Sequence, residues 1–355
     1  MQRATKLLPK ITIGVDVGDR KSVTCEINAA GEVVKRDGVA TAAVAIERYF
    51  AGRERCRVVM EVGTHSPWLS RQIQAYGHEV IVANGSEVYG RRRRKKRNDR
   101  MDAEFLARQG RADTSLLHLI RHWGEEAHIH LERIRARDQL VQTRSKLVNH
   151  VRGAVKSAGG RISKCATEAF PKRAVWQIPE DLRSALTPLL SVIDDLSARI
   201  REYDDKIEEL IRTSSPEALR LQQIQGVGPL TALAFVLLID DPKRFSRIRD
   251  VGAFLGLVPR LDDSSDSEPQ LRITKAGDAL GRRLLVSSAH YILGPFGPDC
   301  DLRRHGAKIA ARGGKNAKKR AVVAVARKLS VLLLRLWISE AAYDPQRTLK
   351  RQRTA

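Results

Sequence analysis

Four acidic residues stand where a divalent-cation site would need them. Asp16 closes the apolar run Ile11-Thr12-Ile13-Gly14-Val15-Asp16, and Glu61 ends Val58-Val59-Met60-Glu61. A lone carboxylate in such a place is costly unless it is paired or holds a cation. Asp99 and Asp102 lie three apart in Asn98-Asp99-Arg100-Met101-Asp102-Ala103, a segment of helical character, so both side chains leave on one side. Carboxylate oxygens suit Mg2+ or Mn2+, and a pair of such ions can clamp a phosphodiester during displacement. Taken singly, Asp16 reads as a strand-end acid before a glycine turn and Asp99 as a helix cap. The four together, in this order, read as metal ligands.

The charge balance indicates a polyanionic partner. The chain of 355 residues has 64 Lys plus Arg against 41 Asp plus Glu, a net charge of +23. Nucleic acid is the simplest partner for that excess. The cations cluster. Arg91, Arg92, Arg93, Arg94, Lys95, Lys96 and Arg97 form an unbroken run just before Asp99, and Lys315, Lys318, Lys319 and Arg320 form a second group. Such runs often only solvate a surface, but the first abuts acids that would otherwise repel phosphate. No apolar stretch is long enough to predict a membrane span, and the N-terminus has no signal-peptide pattern. Cys25, Cys56, Cys165 and Cys300 are scattered, without metal or disulfide spacing, so a reducing cytoplasm is expected. His118 and His122 read as surface histidines rather than ligands.

The elements that must hold these residues follow from the patterning. Residues 11–17, 22–28, 32–36, 57–62 and 79–83 read as strands, with helices over 42–52 and 67–76. An acid on the first strand, another on a later strand and a pair on a following helix is the ground plan of an α/β RNase H or RuvC-like domain with a mixed sheet. A long helix is predicted over 125–158 and another over 179–213. In the second, Ile193, Leu196, Ile200, Tyr203, Ile207 and Leu210 make a heptad seam. The seam fits two helices packed within one chain, but an intermolecular coiled coil is the favoured expectation, giving a homo-oligomer (a dimer or a tetramer). From Pro216 a mostly α-helical C-terminal domain begins. There Gly226-Val227-Gly228 separates two apolar segments in the manner of a helix-hairpin-helix, whose backbone amides meet a DNA phosphate. A polar, hydroxyl-rich loop follows, with Ser264, Ser265 and Ser267, and then cationic helices over 280–293 and 317–338. The expected domains are 1–124, 125–215 and 216–343, with a basic tail over 344–355.

The order of Asp16, Glu61 and Asp99-x-x-Asp102-Ala103, then the coiled coil, then Gln225-Gly226-Val227-Gly228 and Gly256-Leu257-Val258-Pro259, resembles the IS-one-ten (IS110) family of insertion-sequence transposases. Arg272-Ile273-Thr274-Lys275-Ala276-Gly277-Asp278 and the segment 311–320 add to the resemblance, which covers nearly the whole chain. It implies Asp16, Glu61, Asp99 and Asp102 as ligands of Mg2+ or Mn2+, a serine nucleophile from the C-terminal domain, and a structured bridge RNA that pairs with donor and target DNA. The family's serine usually lies in a Gln-Ser-Gly context about eleven residues before the Lys of its Ile-Thr/Ser-Lys-x-Gly motif. Counting back from Lys275 gives Ser264, here in Asp263-Ser264-Ser265, so both neighbours depart from the family pattern and Ser265 is the runner-up. Attack by serine would give a covalent protein–DNA intermediate, with Arg260, Arg272 and Lys275 offsetting charge. The expected setting is the cytoplasm of a bacterium or archaeon, at the nucleoid. Two other classes fit part of the pattern: a metal-dependent junction nuclease using water, and a non-catalytic nucleic-acid-binding protein whose acids are structural.

Overall fold

The protein is described from a computed structural model, which covers residues 9–84, 98–114, 117–260 and 271–347. It comprises two compact units, Met1–Trp123 and Gly124–Ala355. Among the described residues no helix is long and apolar enough to cross a membrane.

The first unit is built on a mixed sheet of β1 (Thr12–Asp16), β2 (Lys21–Ile27), β3 (Val33–Ala40), β4 (Arg57–Glu61) and β5 (Glu79–Ala83), in the order β3-β2-β1-β4-β5. β1, β2 and β3 pair antiparallel, whereas β1, β4 and β5 run parallel. Val58, Val59 and Met60 are all fully buried, because a central parallel strand is covered on both faces. The pleat sorts alternate residues to opposite sides. Ile13, Val15, Val58, Met60 and Val82 pack with residues of α1 (Ala43–Phe50) and α2 (Ser66–Ala75). Cys25, Ile27, Val59, Ile81 and Ala83 pack on the other side with residues of α3 (Asp99–Ala112). The outer strand β3 extends to Ala40, beyond the 32–36 expected, because hydrogen bonding to β2 continues through a mostly exposed segment that carries no apolar alternation.

The second unit contains a long helical hairpin. α4 (Glu125–Ser157) and α6 (Glu180–Ser214) run antiparallel, joined through the short α5 (Phe170–Ala174). Arg137 donates to Asp204 at 2.5 Å and Arg144 donates to the Ser197 hydroxyl at 3.1 Å. One heptad forward on α4 is therefore one heptad back on α6. Here the structure corrects the reason for expecting an intermolecular coiled coil. Ile193, Ile200 and Ile207 are 0%, 4% and 4% exposed within a single chain, so half of the seam is already buried. Leu196, Tyr203 and Leu210, its other half, are half-buried. An apolar stripe states that something covers it, and here α4 and its neighbours do.

The remaining helices are α7 (Pro216–Leu221), α8 (Pro229–Ile239), α9 (Val251–Phe254), α10 (Ala279–Leu293), α11 (Asp301–Ala310) and α12 (Ala317–Ser339). α8 is buried from Thr231 to Ile239, which suits a helix that is apolar all round. On α12, Val322, Val325, Leu329, Leu333 and Leu336 are buried as the stripe predicts, with Leu332 half-buried at its margin. α11 was not anticipated, since its polar sequence buries only Leu302 and Gly306.

Candidate functional site

The sheet delivers Asp16 and Glu61 to one place. Val15 pairs with Met60 between parallel strands, so the next residues, Asp16 and Glu61, leave the sheet side by side at the C-terminal ends of β1 and β4. Asp16 shares its face with Gly14, and Glu61 shares its face with Val59, which is the face that α3 covers. α3 lies unusually close there. A Cβ on Gly14 would stand 1.9 Å from the Ala103 carbonyl oxygen, and one on Gly110 would stand 2.2 Å from Val59 Cγ2. Glycine is required at both crossings for helix backbone and strand to touch.

This close packing sets the first turn of α3 beside Asp16. Asn98 caps that turn by accepting a hydrogen bond from the Arg100 amide at 3.0 Å. Asp99 and Asp102 occupy the turn, where the helix dipole favours negative charge. Asp102 is buried, Asp16 and Glu61 are half-buried, and Asp99 is exposed. The Asp16 carboxyl is pushed up to about 6, first by burial and then by the charges of Asp99, Asp102 and Glu61. The charges of the other three acids therefore all reach Asp16. Among the described residues no group of three His, Cys, Asp or Glu side chains is gathered into a ready cation cage, so the four share a field rather than one tight shell. The donor set is all carboxylate oxygen, which fits a hard divalent cation and not a zinc-type site.

Around the acids the fold adds contacts that composition and spacing did not reveal. His65 Nε2 lies 3.2 Å from Asp19 Oδ1, and Trp68 Nε1 donates to His65 Nδ1 at 3.1 Å. These join the loop after β1 to the start of α2. Ser66 Oγ and His122 Nε2 are 2.9 Å apart, so His122 is not simply a surface histidine. At the opposite end of β4 from Glu61, the buried Arg57 donates to both Glu79 carboxylate oxygens and to the Gly110 carbonyl, fastening β4 to β5 and to α3. Pairing of Asp19 with His65 could have been suspected only from their places just after two acid-bearing strands.

The remaining candidates fall in several separate segments of the sequence. Arg91 to Arg97, Ser264, Ser265 and Ser267 lie outside the described residues. The segments flanking 261–270 are held antiparallel: the Arg260 amide donates to the Arg272 carbonyl and the Thr274 amide to the Val258 carbonyl, both at 2.9 Å. Arg260, Arg272 and Lys275 are exposed there, Lys275 with a φ of 57°. Gly256 and Gly277 let the two segments meet, since a Cβ on Gly277 would stand 2.0 Å from the Phe254 carbonyl oxygen. Gly226, at φ 93°, is pressed against Tyr291 and Ile292 of α10, while the Cβ direction of Gly228 opens on empty space. Lys315, Lys318, Lys319 and Arg320 are all exposed at the start of α12.

Comparison with known proteins decides the family. A transposase family model of the IS110 DEDD type matches residues 13–159, spanning all four acids, and the transposase IS116/IS110/IS902 family matches residues 218–298. The chain belongs to the IS110 family of transposases. It is 28% identical to the transposase for insertion sequence element IS1111A of Coxiella burnetii, over 93% of this chain and 90% of that protein. It is 27% identical to the transposase for insertion sequence element IS1328 of Yersinia enterocolitica, over 79% and 84% of the two chains. The IS110 chain is thus a DNA transposase, an enzyme of an insertion sequence, and its DEDD class implies dependence on a divalent metal. The five-stranded mixed sheet with its helices is consistent with an RNase H-like domain, and the chain as a whole is mostly helical.

Proposed function

We propose that this IS110-family transposase cuts and rejoins DNA through a serine-linked intermediate, with Asp16, Glu61, Asp99 and Asp102 holding Mg2+ or Mn2+. The observation that carries the reading is geometric: the parallel register of β1 and β4 brings Asp16 and Glu61 out side by side, and the close approach of α3 at Gly14 sets Asp99 and Asp102 beside them. When bound, the metal would supply polarisation of the scissile phosphate and charge neutralisation at its oxygens. The protein's own part is to hold Asp16 and Glu61 at the strand ends and Asp99 and Asp102 on the first turn of α3, which Gly14 and Gly110 let approach the sheet. Ser264 is the nucleophile in this reading, with Ser265 as runner-up. Its oxygen bonds to phosphorus as the bond to the leaving deoxyribose oxygen breaks, and the serine proton ends on the leaving hydroxyl. Arg260, Arg272 and Lys275, exposed where the flanking segments pair, offset phosphate charge.

Binding of donor and target DNA through phosphate is assigned to Arg91–Arg97, to Lys315, Lys318, Lys319 and Arg320, and to backbone around Gly226 and Gly228 in a helix-hairpin-helix role. A bridge RNA as guide and assembly of more than one copy complete the reading. Strand exchange joins two DNA sites, each of which must be held and cut; the apolar seam adds nothing to that reason. The functional division proposed is an acid-bearing domain over 1–124, a helical region over 125–215 and a serine-bearing domain over 216–343.

The test is covalent capture. A nicked DNA substrate incubated with protein and Mg2+ should yield a cross-link mapping to Ser264, lost in Ser264→Ala while metal and RNA binding persist. Cleavage that survives replacement of Ser264, Ser265 and Ser267 together by Ala would make water the nucleophile and overturn the serine step.

A further inference from the structure

Trp176 is 82% exposed, although tryptophan is among the side chains that proteins bury most of. Its surroundings are not loose. It lies in the single turn Val175–Gln177, just after α5, at the end of the α4–α6 hairpin. Ala174 before it and Ile178 after it are buried with Val151, Val155, Phe170 and Leu186 in a small core that closes this end. Gln177 accepts from the Ser163 amide and hydroxyl, both at 2.8 Å, and donates to the Arg173 carbonyl. Arg152 donates to the Ile162 carbonyl at 2.9 Å and sits over the Phe170 ring. The backbone on each side of Trp176 is therefore fixed while the ring faces solvent. A ring displayed this way has already lost the freedom that binding would otherwise have to remove.

The connection that bears the ring is mostly cationic, and of the two acids that follow it at the start of α6, Glu180 is paired with Arg183. Lys172 and Arg173 precede Trp176 by four and three residues along helical turns, so they share its side. The Ser163–Gln177 bonds bring Arg161 and Lys164 to the same connection. All four cations are exposed, and none forms an ion pair among the described residues. The sole acid of the connection, Glu168, is paired with Arg144 at 3.1 Å. A second copy of this tip would meet it cation to cation, which disfavours a symmetric protein contact. A flat aromatic among unpaired cations is the arrangement that stacks an unpaired base while holding the phosphates beside it.

We propose that the hairpin tip built on Trp176, with Lys172, Arg173, Arg161 and Lys164, is a docking platform for an unpaired DNA strand. The DNA substrate is the nucleic acid that the family assignment supplies, and strand exchange requires unpaired segments of it. The proposal is independent of the serine chemistry, so its test uses full-length protein in EDTA, where no cleavage enters. Binding is read by fluorescence anisotropy with a twenty-nucleotide oligothymidylate, a DNA duplex of equal length and a twenty-nucleotide oligouridylate. Trp176→Ala should weaken oligothymidylate binding about tenfold, leave duplex binding unchanged and leave the salt slope as in the wild type. Trp176→Phe should recover most of the loss. Replacing Lys172 and Arg173 by Ala should instead lower the slope of log affinity against log salt by about 1.4, near 0.7 for each phosphate contact. The proposal is overturned by an equal loss on duplex, by no loss, or by a greater loss on oligouridylate, which would make the tip an RNA contact. A fall in oligomeric mass in Trp176→Ala would overturn it in favour of a protein contact.

Discussion

Removing the charge of Asp16 should make the metal-free protein more stable while destroying its activity. The Asp16 carboxyl stands at about 6 against an ordinary 3.8, owing to burial and to Asp99, Asp102 and Glu61. Each pH unit between those two values corresponds to about 1.4 kcal/mol, so the ionised form costs about 3 kcal/mol as an upper bound. The group is half-buried and the neighbouring Asp99 is exposed, so screening cuts this to about 1–2 kcal/mol. The folded value is raised, so this stability is fully present below about pH 4 and is lost as pH rises through 6. Asp16→Asn carries no charge and should escape that loss. In EDTA at pH 7.5 the variant should be more stable by about 1–2 kcal/mol, a rise of roughly 3–8 °C for a unit of this size. At pH 5 the advantage should shrink, because the wild-type acid is then mostly protonated. Added Mg2+ should reverse the ranking, stabilising the wild type by mass action and the variant far less. Calorimetry of the full chain, following the transition that responds to Mg2+, measures all three. The reasoning is refuted if Asp16→Asn has no advantage in EDTA, or if its advantage is the same at pH 5 and pH 7.5.

Gly14→Ala should destabilise the first unit by at least about 2 kcal/mol and abolish metal-dependent cleavage, because its Cβ would overlap the Ala103 carbonyl; urea unfolding and a nicking assay report both. Ile200→Ala should cost about 2–4 kcal/mol in unfolding without changing the mass found by light scattering, since its neighbours belong to the same chain. With the fold intact, Cys165 should be the first thiol modified by a disulfide reagent. Cys25, Cys56 and Cys300 are buried, and burial also pushes the Cys56 thiol up to about 11. Replacing Lys318, Lys319 and Arg320 by Gln should flatten the salt dependence of duplex binding, its log–log slope falling by about 0.9 for each phosphate no longer neutralised. An unchanged slope would mean that these cations only solvate the surface.

The acids were legible because their types contradict their surroundings: a carboxylate that ends a run such as Val58-Val59-Met60 must be explained. Strand and helix limits came within one or two residues wherever apolar periodicity marked them, as for α4 and β5. β3 and α11 lack that periodicity, and their extents follow from pairing and packing with distant segments. The seam on α6 shows the limit most plainly. Periodicity reveals an apolar face but not whether its cover belongs to the same chain, and α4 was already available fewer than 30 residues upstream. Gly14 was equally opaque. Its need for a bare backbone depends on α3, some 90 residues later, crossing β1 at contact distance.

The antiparallel hairpin also behaves as a ruler. Its tip is sealed by the small core around Val151 and Leu190, and nearer its base Arg283 and Arg135 of the same unit pair with Asp138 and Asp278. Between these anchors the contacts repeat every seven residues, Arg137 to Asp204 and then Arg144 to Ser197. Removing seven residues from each helix at matched positions would keep every facing pair in register while drawing the tip back by about 10 Å, at 1.5 Å per residue. That step equals about three base pairs of duplex at 3.4 Å each. The distance between whatever grips the base and whatever touches the tip is therefore set in whole heptads, and can be lengthened or shortened without redesigning either end.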